Sequence, residues 1–414
     1  MVVSLFGLGF VGLTTAVGFA EKGIKVYGTD IDKARMEIIR AGRLPFYEPG
    51  LDEALVRNMN KTFYLPEDMG NAIRESDCIY YCVGTPYGEG GQADLTYLYS
   101  AIESTLKYID DDKFRVLVTK STIPPSTTKN KIIPFVEERG IRVGEQLGIA
   151  NNPEFLREGY CWDDFMNADR IVTGVSDAHS EMILRKLYSG FDIPFFAVSL
   201  NTGEFIKYLS NTLLATLISY SNEMSVIADT VGDIAVADAF RILHMDKRWG
   251  GCSMASYAYP GCGYGGYCLP KDTNAIYSLV KSMGYDAGIL KNVIDTNEKM
   301  PEFITKRITR NISKKSKIGI LGLSFKPKSD DVRDTPAAKV IEQLLREGYT
   351  EILAYDPIAV EEFKKHYELR ITYYHQMDVI LKEADILVIL TAWEEFKRVP
   401  KLTDKTIVDC RYML

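Results

Sequence analysis

Several things this chain has little of narrow its chemistry before any motif is read. Its 414 residues include only four histidines, at 179, 244, 366 and 375, and none sits at ligand spacing with a cysteine. No metal site is expected from that composition. The seven cysteines (78, 82, 161, 252, 262, 268 and 410) are odd in number and lack Cys-x-x-Cys spacing. That pattern argues against a disulfide framework and for reduced thiols in a cytoplasmic protein. Positive charge is not in excess either: the net charge is -7 and the pI about 5.4. Neither nucleic acid nor an anionic membrane is an expected partner, and an anionic ligand would have to be met by locally placed cations. No apolar run approaches the roughly 18 residues of a membrane span, and a strand beginning at residue 2 leaves no room for a signal peptide.

What is present reads as α/β. Val2 to Phe6 form a strand that runs into Gly7-x-Gly9-x-x-Gly12, a helix pattern follows to about Glu21, and a second strand from Lys25 to Thr29 ends at Asp30. This is a complete βαβ unit with an acid at the tip of its second strand. Further strands are expected at 78–83, 115–119, 147–151 and 170–174, so residues 1–195 read as a doubly wound parallel sheet. A long helix is expected from Asn201, three residues before Glu204 in capping-box spacing, to about Thr230. More helix is expected at 233–244 and 272–299, making 196–300 a central helical block suited to dimerisation. From 316 a second α/β pattern begins, with strands at 352–355, 386–390 and 406–410. The expected fold is thus two Rossmann-like doubly wound domains, 1–195 and 301–414, joined by a long central helix. In the second copy Ser324 and Pro327 stand where the first has Gly9 and Gly12. Without those glycines a pyrophosphate cannot approach a helix N-terminus closely, so this copy should take a different phosphorylated ligand, with Lys326 in its loop.

The chemistry concentrates in a few stretches. Gly7, Gly9 and Gly12 with Asp30 point to a dinucleotide, and the carboxylate favours NAD by accepting ribose hydroxyls; Arg35 softens the exclusion of NADP. Gly263-Tyr264-Gly265-Gly266-Tyr267-Cys268-Leu269-Pro270-Lys271-Asp272 sets a thiol in a glycine-lined turn with a cation three residues on and a carboxylate four on. Such surroundings favour a nucleophilic thiolate. Lys207, Asn211 and Asn222 share one face of the long helix and need partners on it. Glu154 and Glu158 follow a strand end, where open α/β sheets bind ligands, and either could act as a general base. Lys326 and Arg333 flank a loop and could pair with phosphates.

As a set these motifs resemble the UDP-glucose/GDP-mannose dehydrogenase family, over essentially the whole chain. The anchors are Gly7 to Gly12, Val83-Gly-Thr85-Pro86, Lys120-Ser-Thr122-Ile-Pro124, Pro153 to Gly159, Lys207-x-x-x-Asn211, Gly263 to Asp272, and Gly322-Leu-Ser-Phe-Lys326 with Arg333. The resemblance implies oxidation of C6 of a nucleotide sugar from alcohol to carboxylate with two NAD⁺ and one water, through a thiohemiacetal and a thioester on Cys268. It implies roles in proton handling and oxyanion stabilisation for Lys207 and Asp272, with Asn211 as a donor. Thr122, Glu154 and Glu158 would position water or act as base. Cofactor contacts would come from Val11, Asp30, Arg35, Thr85, Thr122, Glu158, Lys271 and Arg333. Sugar-nucleotide contacts would come from Glu154, Phe155, Leu156, Arg157, Glu158, Lys207, Asn211, Tyr257, Gly261, Gly265 and Lys326. By the same resemblance the expected substrate is UDP-glucose, the expected assembly a homodimer and the setting polysaccharide synthesis. GDP-mannose or a UDP-N-acetylhexosamine is the alternative substrate, and a non-catalytic nucleotide-binding protein the remote one. The chain departs from the family pattern on the substrate side: a longer 249–256 stretch follows Arg248, Ala258 removes an amide, and Cys262 replaces an aromatic.

Overall fold

The computed structural model describes residues 1–86, 93–246 and 257–414. The chain divides into two units, Met1–Leu209 and Ser210–Leu414. The first is built on eight strands: β1 (Val2–Phe6), β2 (Lys25–Thr29), β3 (Phe63–Tyr64), β4 (Cys78–Tyr81), β5 (Arg115–Thr119), β6 (Leu147–Asn151), β7 (Ile171–Val175) and β8 (Phe195–Val198). They lie in the order β3-β2-β1-β4-β5-β6-β7-β8. Every residue of β4, β5 and β6 is buried, as expected for a sheet covered on both faces. Alternate residues feed two cores: Tyr80, Val116 and Val118 join Leu13 and Phe19, while Ile79, Tyr81 and Leu117 join Leu98 and Ile102. One pairing corrects the expectation of a wholly parallel sheet, since β7 runs antiparallel to β6 and then carries β8 in parallel.

Register gathers the functional positions. Thr29, Phe6, Tyr81, Thr119 and Asn151 are successive partners across the sheet and form its carboxyl edge. The residues just past that row are Asp30, Gly7, Cys82, Lys120 and Asn152, so the motif-bearing loops all leave from one edge.

In the second unit β9 (Ile318–Leu321), β10 (Ile352–Tyr355), β11 (Thr372–Tyr374), β12 (Ile386–Ile389) and β13 (Thr406–Asp409) form an all-parallel sheet in the order β11-β10-β9-β12-β13. The boundary between the units falls inside the long helix Leu200–Val231, which at 1.5 Å per residue is about 48 Å long. Asn201 does not cap that helix. Ser199 does, accepting from the Thr202 amide at 3.3 Å, and Asn201 lies within the first turn. The helix expected around 272–299 comes as two, Cys268–Ser282 and Gly288–Thr309, because Gly284 takes φ +89° and ends the first. Among the described residues no helix is long and apolar enough to cross a membrane, and no His/Cys/Asp/Glu group could hold a metal ion.

Candidate active site

The dinucleotide turn is built by exclusion. Gly7 adopts φ +91° and donates its amide to Thr29 O at 2.9 Å; a Cβ there would meet Cys82 O at 2.7 Å. A Cβ on Gly12 would overlap the Gly7 carbonyl oxygen, so this glycine lets the helix Phe10–Glu21 start tight against the strand. Gly9 differs: nothing lies within 4 Å of where its Cβ would be. Open space at the amide end of a helix is the cradle a pyrophosphate needs, and Val11 lies in the first turn beside it. The Asp30 carboxylate accepts from Leu8 N at 2.6 Å, Asp32 N at 2.9 Å and Arg35 Nη1 at 2.9 Å. Three donors on a carboxylate leave one lone-pair direction for a ribose hydroxyl. These residues fit an NAD-type cofactor.

Further along the same edge, Lys207 donates to Glu154 Oε1 at 2.6 Å, both side chains nearly fully buried, and Leu156 N donates to Oε2 at 2.7 Å. Burial opposes ionisation of Glu154, but the Lys207 ammonium, its hydrogen bond and the Leu156 amide outweigh it, and the carboxyl is held below its ordinary value. Thr122 hangs in the loop after β5, its carbonyl accepting from the buried Thr85 hydroxyl at 2.9 Å. Thr122, Pro153, Glu204 and Lys207 line one pocket. Phe155 and Leu156 are half-buried, and Glu158 likewise. Arg157 is exposed and chelates Asp164, Nη2 to Oδ1 at 2.6 Å.

In the second unit the Gly263–Asp272 stretch is fastened from several sides. Gly263 and Gly266 take φ +102° and +77°, and Asn297 holds Tyr264 by both its amide and its carbonyl, at 2.7 and 3.0 Å. A Cβ on Gly265 would overlap Asp334 O, and Gly266 N donates to Arg333 O at 3.0 Å. Cys268 is thereby the first residue of the helix Cys268–Ser282, at its electropositive end. Asp272 is one turn on, on the same face, accepting from Asn211 Nδ2 at 2.6 Å and Lys271 Nζ at 2.5 Å with all three side chains buried. The Tyr267 ring lies under both Lys271 and Arg333, and Arg333 is itself chelated by Asp331.

Asn222, the third polar residue of the long helix, accepts from Gly261 N at 2.7 Å and so holds the loop from Tyr257. A Cβ on Gly261 would overlap the Arg411 guanidinium, whose buried Nε has no protein partner. The sequence reading missed Arg411; its one signal is its place just past β13, the strand-end position that marks the first unit's site loops. Lys326 is half-buried beside Phe325. Cys262 is a core residue, its thiol against the carbonyls of Leu390 and Cys410. Lys120 was also missed as a functional candidate: it is buried and donates to Asn152 Oδ1 at 3.0 Å, which fixes the strand end preceding Glu154. Arg248 and residues 249–256 lie outside the described residues.

A dinucleotide cradle on one sheet, a second nucleotide-type sheet without one, and a helix-borne thiol beside a buried carboxylate define a nucleotide-dependent oxidoreductase. Residues 1–192 match the NAD binding domain of the UDP-glucose/GDP-mannose dehydrogenase family, 201–299 its central domain and 319–414 its UDP binding domain. The chain belongs to that family and is an NAD-dependent nucleotide-sugar dehydrogenase. It is 36% identical over 411 residues to the UDP-glucose 6-dehydrogenase TuaD of Bacillus subtilis, covering 98% of this chain and 87% of that one. A UDP-glucose 6-dehydrogenase of Rickettsia conorii is 36% identical over 403 residues, covering 96% and 90%. Among solved structures, a UDP-glucose dehydrogenase from Pyrobaculum islandicum superposes with TM-score 0.90 at 35% identity over 99% of this chain and 94% of its own. A UDP-D-ManNAc dehydrogenase from Pyrococcus horikoshii gives 0.84 at 26% identity over 100% and 96%.

Proposed function

We propose that this chain oxidises UDP-glucose at C6 to UDP-glucuronate, with Cys268 holding the substrate between two oxidations. The observation that carries the reading is the placement of Cys268 at a helix start, one turn before an Asp272 clamped by Asn211 and Lys271. Bound NAD⁺ supplies the hydride acceptor for both oxidations. In the first, the C6 alcohol loses a hydride and a proton, and the ionised Glu154 is the acceptor available for that proton, with the Lys207 ammonium opposite the developing alkoxide. The Cys268 sulfur then bonds to the aldehyde carbon while its proton passes to Asp272, and the carbonyl electron pair moves onto oxygen to give the thiohemiacetal alkoxide, whose loss of a hydride leaves a thioester. Water adds to the thioester carbonyl, the C–S bond breaks, and carboxylate and thiol are released; Thr122, Glu154 and Glu158 are the groups assigned to that water. A covalent link keeps a reactive aldehyde from escaping between the two steps.

The assembly that suits this chain is a homodimer through the long helix. Leu209, Leu213, Tyr220, Ile227 and Val231 are 45 to 70% exposed along it, an apolar stripe of the kind that marks an interface. The decisive test is NADH formed per UDP-glucose consumed in excess NAD⁺. Two per sugar supports the reading; turnover only with another nucleotide sugar moves the substrate and keeps the chemistry. Full turnover by Cys268→Ser would sink the covalent step.

A further inference from the structure

Glu204 belongs to no role assigned above, yet it is 3% exposed and lines the pocket that Thr122 and Lys207 share. Its spacing from Asn201 suggests a capping box, but its carboxylate reaches a different helix. Oε1 accepts from Thr128 N at 2.7 Å and from Thr128 Oγ1 at 2.6 Å, and the amides of Ser126 and Thr127 face the same group. Burial pushes the carboxyl above its ordinary range and those donors pull against the rise, so the group is held in place rather than solvated. Thr128 begins the helical stretch Thr128–Glu137, so a buried carboxylate closes its amide end.

The loop that this clamp terminates, 120–127, carries Thr122. At its other end Ser121 Oγ donates to Val83 O at 2.6 Å and Thr85 Oγ1 to Thr122 O at 2.9 Å. Ser126 adopts φ +71°, a conformation a non-glycine residue keeps only when its surroundings impose it, and it adjoins the residues that Glu204 holds. Lys207 follows Glu204 by one helical turn and bears the ion pair to Glu154. One turn of one helix therefore fixes both the Thr122 loop and the Lys207–Glu154 pair.

We propose that Glu204 is a positioning residue for thioester hydrolysis: through Thr128 it sets Thr122 against the Lys207–Glu154 pair, the groups assigned to the attacking water. This rests on the reaction proposed above. Glu204→Ala frees the loop end, and a displacement of about an ångström at a positioned water costs on the order of tenfold to a hundredfold in turnover. Because the oxidations do not use that water, kcat/KM for UDP-glucose and NAD⁺ should stay within about twofold while KM falls together with kcat.

The test uses the full-length protein, steady-state kinetics and acid-quenched intact-mass spectrometry. Glu204→Ala should lower kcat about tenfold or more and raise the fraction of chains carrying the substrate-derived thioester on Cys268. Glu204→Gln, which keeps an acceptor oxygen for Thr128, should restore most of the rate. A fall in kcat without adduct, or a glutamine variant as poor as the alanine one, overturns the proposal by reducing Glu204 to a folding role. If Glu204→Ala does not fold, Thr128→Val removes the hydroxyl donor and must show the same accumulation, and its failure to do so overturns the proposal equally. Wild-type protein that makes neither two NADH per UDP-glucose nor any adduct would refute the reaction itself, an outcome separate from the Glu204 result.

Discussion

The two sheets carry the same turn put to opposite uses. In each, a glycine with positive φ ends the first strand and donates to the neighbouring strand's last residue: Gly7 to Thr29 O at 2.9 Å and Gly322 to Tyr355 O at 2.8 Å. In each, an aspartate at the tip of that neighbour folds back onto the turn, Asp30 onto Leu8 N and Asp356 onto Leu323 N. The first turn then leaves Gly9 facing open space and starts a helix at Phe10. The second fills its own turn: Asp356 also takes Ser324 N, Ser324 Oγ, Trp393 Nε1, Ile358 N and Ala359 N, and the helix waits until Pro336. The second turn thus spends its donors on Asp356, whereas the first keeps open space at a helix start, the arrangement a pyrophosphate needs.

The largest expected effect separates the two turns by what each loses. Gly12→Ala drives a methyl into the Gly7 carbonyl, so the helix must back away from the cradle. The NAD⁺ KM should rise on the order of a hundredfold, read from initial rates of NADH formation. Gly322→Ala meets Thr391 at 2.5 Å with φ +99° and should instead cost about 1–3 kcal/mol in urea unfolding, with the NAD⁺ KM unchanged. An exchange of these phenotypes would break the comparison.

Asp30→Asn and Asp356→Asn sharpen it. The first should raise the NAD⁺ KM by about tenfold and narrow the preference over NADP⁺, at little cost in stability. The second sets an amide among buried donors that had converged on a carboxylate, and should cost about 2–3 kcal/mol with the NAD⁺ KM unchanged.

Strands β5, β6 and β10 are legible in sequence to the residue, because each is an apolar run buried on both faces and closed by turn residues. The antiparallel β6–β7 pairing was not, since strand direction is set by the partner and leaves no mark in β7 itself. Within the site, the sequence marked Lys207, Asn211 and Asn222 as polar residues on an apolar helix in need of partners. It could not say that Glu154, Asp272 and the Gly261 amide meet them, for those lie far along the chain. The capping box at Asn201 failed for the same reason: a tertiary donor, Thr128, competed for Glu204 and won.

The first sheet's carboxyl edge also keeps a buried lysine: Lys120 contacts the neutral Asn152, and burial lowers its pKa from 10.5 to about 8 despite Cys82 and Glu154 nearby. Between those two values the unfolded chain binds the extra proton, so stability should rise as pH increases from 8 to 10.5. The slope contributed is at most about 1.4 kcal/mol per pH unit, and it vanishes below pH 8, where both states are protonated. Lys120→Met should flatten that rise in urea unfolding followed across pH 8 to 10, and an unchanged slope would place the titrating group elsewhere.

The smallest effect asks whether a glycine alone makes a cofactor turn. Ser324→Gly restores the residue type of Gly9 to the second copy and removes one hydrogen bond to Asp356, at 3.1 Å. It does not bring a helix N-terminus to the turn, because the next helix begins at Pro336, its end closed by the Thr335 side chain, which also bonds Leu323 O at 2.9 Å. Stability should fall by about 1 kcal/mol, and calorimetric titration should still count one NAD⁺ per chain. A second equivalent bound by the variant would mean that the missing glycine, and not the displaced helix and the saturated Asp356, is what keeps the dinucleotide out of the second sheet.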